Sequence, residues 1–475
     1  MSEKKKVLLL VPPTGRFIRE ERCQTPIEDL KTVTLRPPIG LLYAAASFEK
    51  VGCECRVVDL PAEHLTWEHL RKEVEAYSPD IAVLSITTPS IDSDMKAAEL
   101  IKETSPNTFV TAIGAHFNTL DIESLEKYPS LDIVFRGEYE ETCQELGKGI
   151  KKEQIKGITY RNARGTVIRN PKRPFVNDLD TLPFPARHLV KNDLYIRPDT
   201  MAPQTTLLTN RGCPFDCIFC LSRQVAGHKN RLRSVDNIID EIRGCIEKHN
   251  IRNFLFRSDT FTANKKWVTE LCQRIRDESL NIAWASNSRV DTVDIELLKT
   301  MKEAGCWLIA YGVETASQDI LDKMNKKSNV DTARFALRIT SEAGLKSSIY
   351  LLFGLPWDTV ITLRDNIEFA KELDPDFFEI FYAYPFPGTP LYELSVDKGL
   401  LKKGEYPTDA YSAPAMPTLY MEKEQLAQWR RKALRAFYLR PRYIIRTLTK
   451  AGSFGAMLHY IKYGCIQFAD LVTKK

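Results

Sequence analysis

The stretch Arg211-Gly212-Cys213-Pro214-Phe215-Asp216-Cys217-Ile218-Phe219-Cys220 places three cysteines within eight residues. Spacings of four and three can turn three thiolates toward one point from a single loop. That set suits three corners of a cuboidal 4Fe-4S cluster and leaves the fourth iron open to a small molecule. Gly212 and Pro214 favour a tight, irregular backbone around the first thiolate. Phe215, Ile218 and Phe219 can shield such a cluster from water and so tune its potential. A structural zinc ion is the alternative, with His228 or another cysteine closing the tetrahedron.

The sequence around this loop alternates apolar strand-like runs with amphipathic helical stretches. Thr205 to Asn210 leads into the cysteines, and an acidic amphipathic stretch from Val235 to Lys248 follows them. Further strands are expected at Phe254 to Arg257, Ala283 to Asn287, Leu308 to Tyr311, Ser348 to Phe353 and Phe378 to Tyr382. Their ends carry Ser258-Asp259-Thr260, Arg289, Gly312-Val313-Glu314-Thr315, Gly354-Leu355-Pro356 and Pro385 to Pro390. Six such units predict an open, partial TIM-type (βα)6 barrel whose chemistry lies at the carboxyl face.

The first 148 residues show the same alternation, with strands expected at Val7 to Val11, Glu54 to Asp59, Ile81 to Ile86, Phe109 to Ile113 and Ile133 to Phe135. This predicts a doubly wound, Rossmann-like α/β domain, which binds ligands beyond the carboxyl ends of its strands. Those ends hold Pro12-Pro13-Thr14, Asp59, Ser85 to Ser90, Gly114-Ala115-His116 and Arg136-Gly137-Glu138. No Gly-x-Gly-x-x-Gly follows the first strand, so dinucleotide binding lacks its main support. Residues 149–200 read as a connector with two short strand-like pieces and a proline-stiffened stretch from Asp178 to Pro185. Residues 201–420 form the second domain, and 421–475 a basic helical region.

The cysteine loop, with Phe219 as the aromatic before the third cysteine, resembles that of the radical S-adenosylmethionine (radical SAM) enzymes. The resemblance implies that the open iron binds S-adenosylmethionine (SAM) and that an electron from the cluster cleaves it to methionine and a 5'-deoxyadenosyl radical. It further implies that Asp259 and Thr260 contact the amino group of SAM, that Glu314 lies near its ribose or methionine end, and that backbone at Gly354 approaches adenine. Arg289 is a candidate partner for the SAM carboxylate, since a guanidinium fork can grip a carboxylate in two parallel hydrogen bonds. An isolated acid at a strand end, Asp259 included, can instead cap the next helix.

The N-terminal half is similar to the cobalamin-binding domain that precedes the radical core in one branch of that family. The matching marks are Pro12-Pro13, Arg36-Pro37-Pro38-Ile39-Gly40-Leu41-Leu42-Tyr43, Gly114-Ala115-His116 and Gly137-Glu138-Tyr139-Glu140. The resemblance implies cofactor contacts at Pro12, Asp59, Ser85, Gly114, His116, Gly137 and Glu138. The Asp-x-His-x-x-Gly signature of many cobalamin proteins is absent, because Leu60-Pro61 follows Asp59 and His64 lies five positions away. Cobalt ligation by His64 or His116 is therefore not expected. A cofactor-free scaffold is the alternative, since fold alone does not prove function.

At 475 residues, with 43% hydrophobic and 27% charged side chains, the chain can bury a sizeable core. The charged start, Met1 to Lys6, runs directly into a short strand, which argues against a secretory signal. Of 11 cysteines, three cluster and eight are scattered, a pattern of reduced thiols expected in a cytoplasm. From Met421 to Lys475 there are twelve Lys and Arg against three acids, a net +9, whereas the whole chain carries only +5. Arg430, Arg431, Arg435, Arg440, Arg442 and Arg446 stand beside aromatic and branched residues, and Phe454 to Val472 is apolar at helical spacing. This region reads either as a helical cap on the barrel or as a peripheral contact with anionic lipid. Nucleic acid is not expected, for no RNA-binding module accompanies the charge.

These readings converge on a cobalamin-dependent radical SAM enzyme acting on an unactivated carbon of a small or lipid-like metabolite. Methyl transfer is favoured, and cyclisation, rearrangement or carbon coupling is the alternative within the branch. An electron donor such as flavodoxin or ferredoxin is implied. A methylthiotransferase is disfavoured because the N-terminal half lacks a second three-cysteine set. The rival of another class is a zinc-stabilised, non-catalytic binding or scaffold protein.

Overall fold

The computed structural model describes residues 4–20, 23–26, 35–197, 199–407, 413–449, 458 and 461. The chain forms two compact units. One contains Leu35–Tyr195 and Leu221–Arg231, and the other contains Ile196–Cys220 and the residues from Leu232 onward.

In the first unit, β1 (Lys6–Val11), β2 (Glu54–Asp59), β3 (Ile81–Ser85), β4 (Phe109–Ile113) and β5 (Ile133–Phe135) run parallel in the order β2-β1-β3-β4-β5. The run Val7-Leu8-Leu9-Leu10 is wholly buried, as a central strand covered on both faces requires. Strand order reverses about β1, so the crevice at its carboxyl end is the expected ligand position of this architecture. The connector behaves differently from its reading as a separate segment. β6 (Ile158–Arg161) pairs antiparallel with β5, and β7 (Val167–Arg169) with β6, so both extend the sheet. Burial of Ile158 and Tyr160 explains the attachment. Ala186 also donates its N–H to the Leu42 carbonyl, which fastens the proline-stiffened stretch to this unit.

The second unit is built on β8 (Gln204–Leu208), β9 (Asn253–Arg257), β10 (Ala283–Ser288), β11 (Cys306–Glu314), β12 (Lys346–Phe353) and β13 (Phe377–Tyr382). All run parallel in chain order, and β8 and β13 are not paired with each other, which makes the barrel open. Phe254, Phe256, Trp284, Ile309, Tyr311, Ile349, Leu351, Phe378 and Ile380 alternate along the strands to form one core with the helices. Trp284 stacks on Phe256 with ring centroids 4.7 Å apart. The helix Val235–His249 follows the cysteine loop, capped by Ser234 at its start and by left-handed Asn250 at its end.

The C-terminal helices Lys423–Tyr438 and Pro441–Thr449 cover the outer edge of β13. The Tyr438 hydroxyl accepts from the Phe378 N–H (2.9 Å) and donates to the Phe378 carbonyl (2.6 Å). Arg430 Nε donates to the Ile380 carbonyl (3.1 Å), and Tyr443 Oη to that of Asp376 (2.8 Å). Arg440 pairs with Asp374 (2.9 Å), as does Arg446. Of the six arginines considered for lipid contact, Arg430 is thus engaged by the sheet edge, whose backbone groups would otherwise lack partners, and Arg440 and Arg446 by Asp374 at the end of the helix Val360–Leu373. The apolar stretch Phe454 to Val472 lies outside the described residues except at Leu458 and Ile461. No helix among the described residues is long and apolar enough to cross a membrane.

Replacing Tyr438 with Phe strips partners from both backbone groups of Phe378. The expected cost is about 1–3 kcal/mol, visible as a lower urea midpoint and faster amide exchange at Phe378. An unchanged midpoint would contradict the clamp.

Candidate functional site

The cysteine loop is held by groups that belong to other strand ends. The Gly212 N–H donates to Asp259 Oδ2 (2.5 Å), and Gly212 itself adopts φ +91. Ile218 donates its N–H to the Met324 carbonyl (3.1 Å) and accepts from the Leu391 N–H (3.0 Å). Asn325 Nδ2 donates to the Asp216 carbonyl (2.9 Å). Ile218 and Phe219 pack against an apolar cluster that includes Leu352, Leu355, Leu391 and Met416. Cys213 is buried, and Cys217 and Cys220 are partly so. Cys213 Sγ lies 3.6 Å from Thr260 Oγ1, and Arg289 Nη1 lies 4.0 Å from Cys217 Sγ.

Around these thiols the strand ends bring together Asp259, Thr260, Arg289 and Glu314. Arg289 does not offer the open fork expected for a substrate carboxylate. Its Nε and Nη2 donate to Asp291 (2.8 and 2.7 Å), Nη2 also donates to the Lys326 carbonyl (2.6 Å), and the guanidinium lies 3.7 Å from the Phe215 ring centroid. Burial pulls its pKa down, but Asp291 outweighs that and holds it above the ordinary value. Arg289 therefore acts as a fixed cation beside the cysteine loop.

One residue that sequence reasoning missed is Lys326. It is buried, and its ammonium contacts Glu314 Oε1 at 2.5 Å. Burial pulls its pKa down, while Glu314 and the Cys217 thiol more than offset this, so the ammonium is held above its usual range. Burial likewise pushes the Cys217 thiol up, against the cations of Lys326 and Arg289. In sequence, Lys326 sits in Lys323-Met324-Asn325-Lys326-Lys327, which reads as a solvated charge run. A side chain added at Gly312 would approach Glu314 Oε1 to 2.5 Å and Lys326 Nζ to 3.0 Å, so bare backbone faces this pair. Gly354, at the end of β12, has φ +86, and its N–H donates to buried Asp358 (2.9 Å).

The strand ends of the first unit divide into groups open to a ligand and groups already engaged. Gly114 has φ +152, and a Cβ there would lie 2.3 Å from the Ile86 carbonyl oxygen, so the turn after β4 admits no side chain. Pro12 is buried at the end of β1, and Ser85 opens the hydroxyl-rich turn Ser85 to Ser90. Gly137 donates its N–H to Asn118 Oδ1 (2.7 Å) and leaves open space at its α-carbon. Backbone without side chains at Gly114 and Gly137 is what a bulky cofactor lying against these strand ends requires.

Glu138, by contrast, is not available to a cofactor. Arg231 grips it with two nitrogens (2.7 and 3.0 Å), and the Val176 N–H donates to it (2.7 Å), a buried set that fastens Leu221–Arg231 to this unit. His116 is buried, with Nδ1 3.3 Å from Thr88 Oγ1 and Nε2 3.2 Å from Ser124 Oγ. Burial drives its pKa down to about 3, so it is neutral and both ring nitrogens are engaged. His64 is exposed. Asp59 accepts from Tyr195 Oη (2.9 Å) and the Ala62 N–H (3.2 Å), which ties the carboxylate to its own surroundings.

Residues 207–370 match the profile of the radical SAM superfamily, and residues 31–147 that of the B12 binding domain. A protein of Pyrococcus horikoshii described as an uncharacterized methyltransferase is 32% identical over 94% of this chain and 96% of its own length. The chain belongs to the cobalamin-binding branch of the radical SAM superfamily. A second relative by sequence, the anaerobic magnesium-protoporphyrin IX monomethyl ester cyclase of Cereibacter sphaeroides, is 26% identical over 85% of this chain and 67% of its own. The solved structure of the radical SAM methyltransferase TsrM from Kitasatospora setae, with cobalamin and a [4Fe-4S] cluster bound, shares the fold. Its TM-score is 0.70 at 16% identity, over 98% of this chain and 99% of that one.

Burial raises the pKa of Asp59 to about 6, against the pull of Tyr195, Ala62 and Arg19. A carboxyl raised in the fold contributes its stability below its unfolded pKa of about 4 and loses it as pH rises through the folded value. Asp59→Asn should therefore be close to neutral at pH 4 and stabilise the protein by about 2 kcal/mol at pH 8. Denaturant melts at the two pH values check this, and equal effects at both would refute it.

Proposed function

We propose that this chain uses a 4Fe-4S cluster, SAM and cobalamin to transfer a methyl group to an unactivated carbon of a small or lipid-like metabolite. The observation that carries the reading is the three-thiol loop with a buried, oppositely charged pair, Glu314 and Lys326, beside it at the barrel's carboxyl face. When bound, the cluster supplies the electron, SAM the methyl group and the radical, and cobalamin the methyl carrier. Cys213, Cys217 and Cys220 hold the cluster, and Phe219 packs behind it. A zwitterionic amino acid presents charges that complement the site's pair, carboxylate toward Lys326 and ammonium toward Glu314. Asp259 and Thr260 frame the same end, and Gly354 leaves room for adenine. In the first unit Pro12, Ser85, Gly114 and Gly137 would hold cobalamin, and neither His64 nor His116 would contribute to its binding.

The methyl-transfer reading is supported by the relative named a methyltransferase, which covers nearly the whole chain. Ring closure is the second reading, favoured by the similarity to the cyclase. The reading implies an electron donor such as flavodoxin or ferredoxin as a partner. The short helix Pro441–Thr449 leaves Ile444 and Ile445 exposed beside Arg442, and this supports weak, peripheral contact with an amphiphilic substrate or surface.

Anaerobic reconstitution should give brown protein that retains cobalamin and forms 5'-deoxyadenosine from SAM under reduction. Cys217→Ala should bring that formation to background, because two thiolates cannot hold the cluster with one iron open. Undiminished cleavage by this variant, or colourless protein with one zinc per chain, would overturn the assignment.

The electron paramagnetic resonance spectrum of the cob(II)alamin form should show no nitrogen splitting from His64 or His116. Splitting that disappears in His64→Ala or His116→Ala would contradict that reading.

A further inference from the structure

Glu314 ends β11 with φ +71, inside the left-handed region where a Cβ crowds the following carbonyl. The Thr315 N–H donates to the Val313 carbonyl (3.0 Å), which closes a three-residue turn centred on Glu314. A γ-turn with positive φ is rare and strained. Such a backbone persists only where its surroundings over-determine it.

Glu314 pairs with Leu351 of β12, and the turn that follows it is held by one side chain on another element. Asn366, on the helix Val360–Leu373, is fully buried. Its Oδ1 accepts from the Ala316 N–H (2.6 Å) and from Thr315 Oγ1 (3.0 Å). Thr315 Oγ1 in turn accepts from the Ser317 N–H (3.2 Å), and Thr315 is also fully buried. Among the described residues Asn366 Nδ2 has no hydrogen-bond partner. An unpaired buried amide is unfavourable where a leucine of similar size would fill the space without that penalty. The position keeps Asn for its oxygen, and that oxygen serves the turn.

We infer that Asn366 is a positioning residue that acts through Glu314. By fixing the turn at 313–317 it aims the Glu314 carboxylate at Lys326, 2.5 Å away, and so sets the affinity of this pocket for the amino-acid end of SAM. The inference rests on the assignment of Glu314 and Lys326 to that end.

The test is equilibrium binding of SAM to the reconstituted, oxidised holoenzyme, which does not turn over, in wild type, Asn366→Leu, Glu314→Gln and the double variant. Asn366→Leu should weaken binding about tenfold, with cluster and cobalamin absorption unchanged, and should add less than about twofold in the Glu314→Gln background. Wild-type affinity in Asn366→Leu overturns the inference, as does a loss fully additive to that of Glu314→Gln. Should Asn366→Leu fail to fold, Thr315→Val removes one donor to the same oxygen while keeping shape. It should weaken binding about threefold in the native background and not at all in Glu314→Gln, and any other result overturns the inference. Wild-type binding that Glu314→Gln leaves unchanged would instead sink the assignment of Glu314, a distinct failure.

Discussion

An eight-residue loop that presents three thiolates cannot fix their positions by itself, and the barrel is organised around that deficit. The loop has almost no regular structure, so its backbone is tied down from outside. Asp259 follows β9, Met324 and Asn325 lie beyond β11, and Leu391 lies beyond β13. These partners come from three different strand ends, and they reach one loop because six parallel strands deliver all their following segments to the same face. The thiolates also need compensating charge, since burial disfavours their ionised form. Arg289 and Lys326 supply it, and each is neutralised in turn by its own carboxylate, Asp291 or Glu314. The thiols thus sit among charges whose members span three strand ends.

Strand and helix positions were largely legible because both sheets are parallel and buried, which forces short, continuous apolar runs between amphipathic helices. The runs at Glu54 to Asp59, Phe109 to Ile113 and Ile133 to Phe135 coincide with strands end to end. What the sequence concealed is where each piece attaches. The pieces at Ile158–Arg161 and Val167–Arg169 read as strand-like within a separate connector, yet the free edge of β5 makes them part of the sheet. Pairing across a sheet edge depends on hydrogen bonds from a distant segment, and no local pattern records those.

The site was legible where chemistry needs a local pattern and opaque where it needs a distant partner. Cys213, Cys217 and Cys220 announce themselves by spacing. Gly114 marks a turn whose positive φ and close carbonyl exclude a side chain. Glu138 shares the same kind of strand-end motif, but Arg231, far away in sequence, takes its carboxylate. Arg289 was visible as a cation and not as one already forked onto Asp291. Lys326 was hidden because a buried lysine between two exposed ones has no distinguishing periodicity, and its burial is decided by Glu314 across the turn.

The outer side of β13 carries a further consequence. Phe377-Phe378-Glu379-Ile380-Phe381-Tyr382 is an aromatic, β-prone strand at the rim of an open sheet, the kind of segment that recruits copies of itself when bare. Its hydrogen-bonding positions are filled only after Lys423–Tyr438 has been made, about forty residues after the strand itself. Until those helices leave the ribosome, the nascent barrel presents a sticky rim, so its solubility is decided by helices made after all six of its strands.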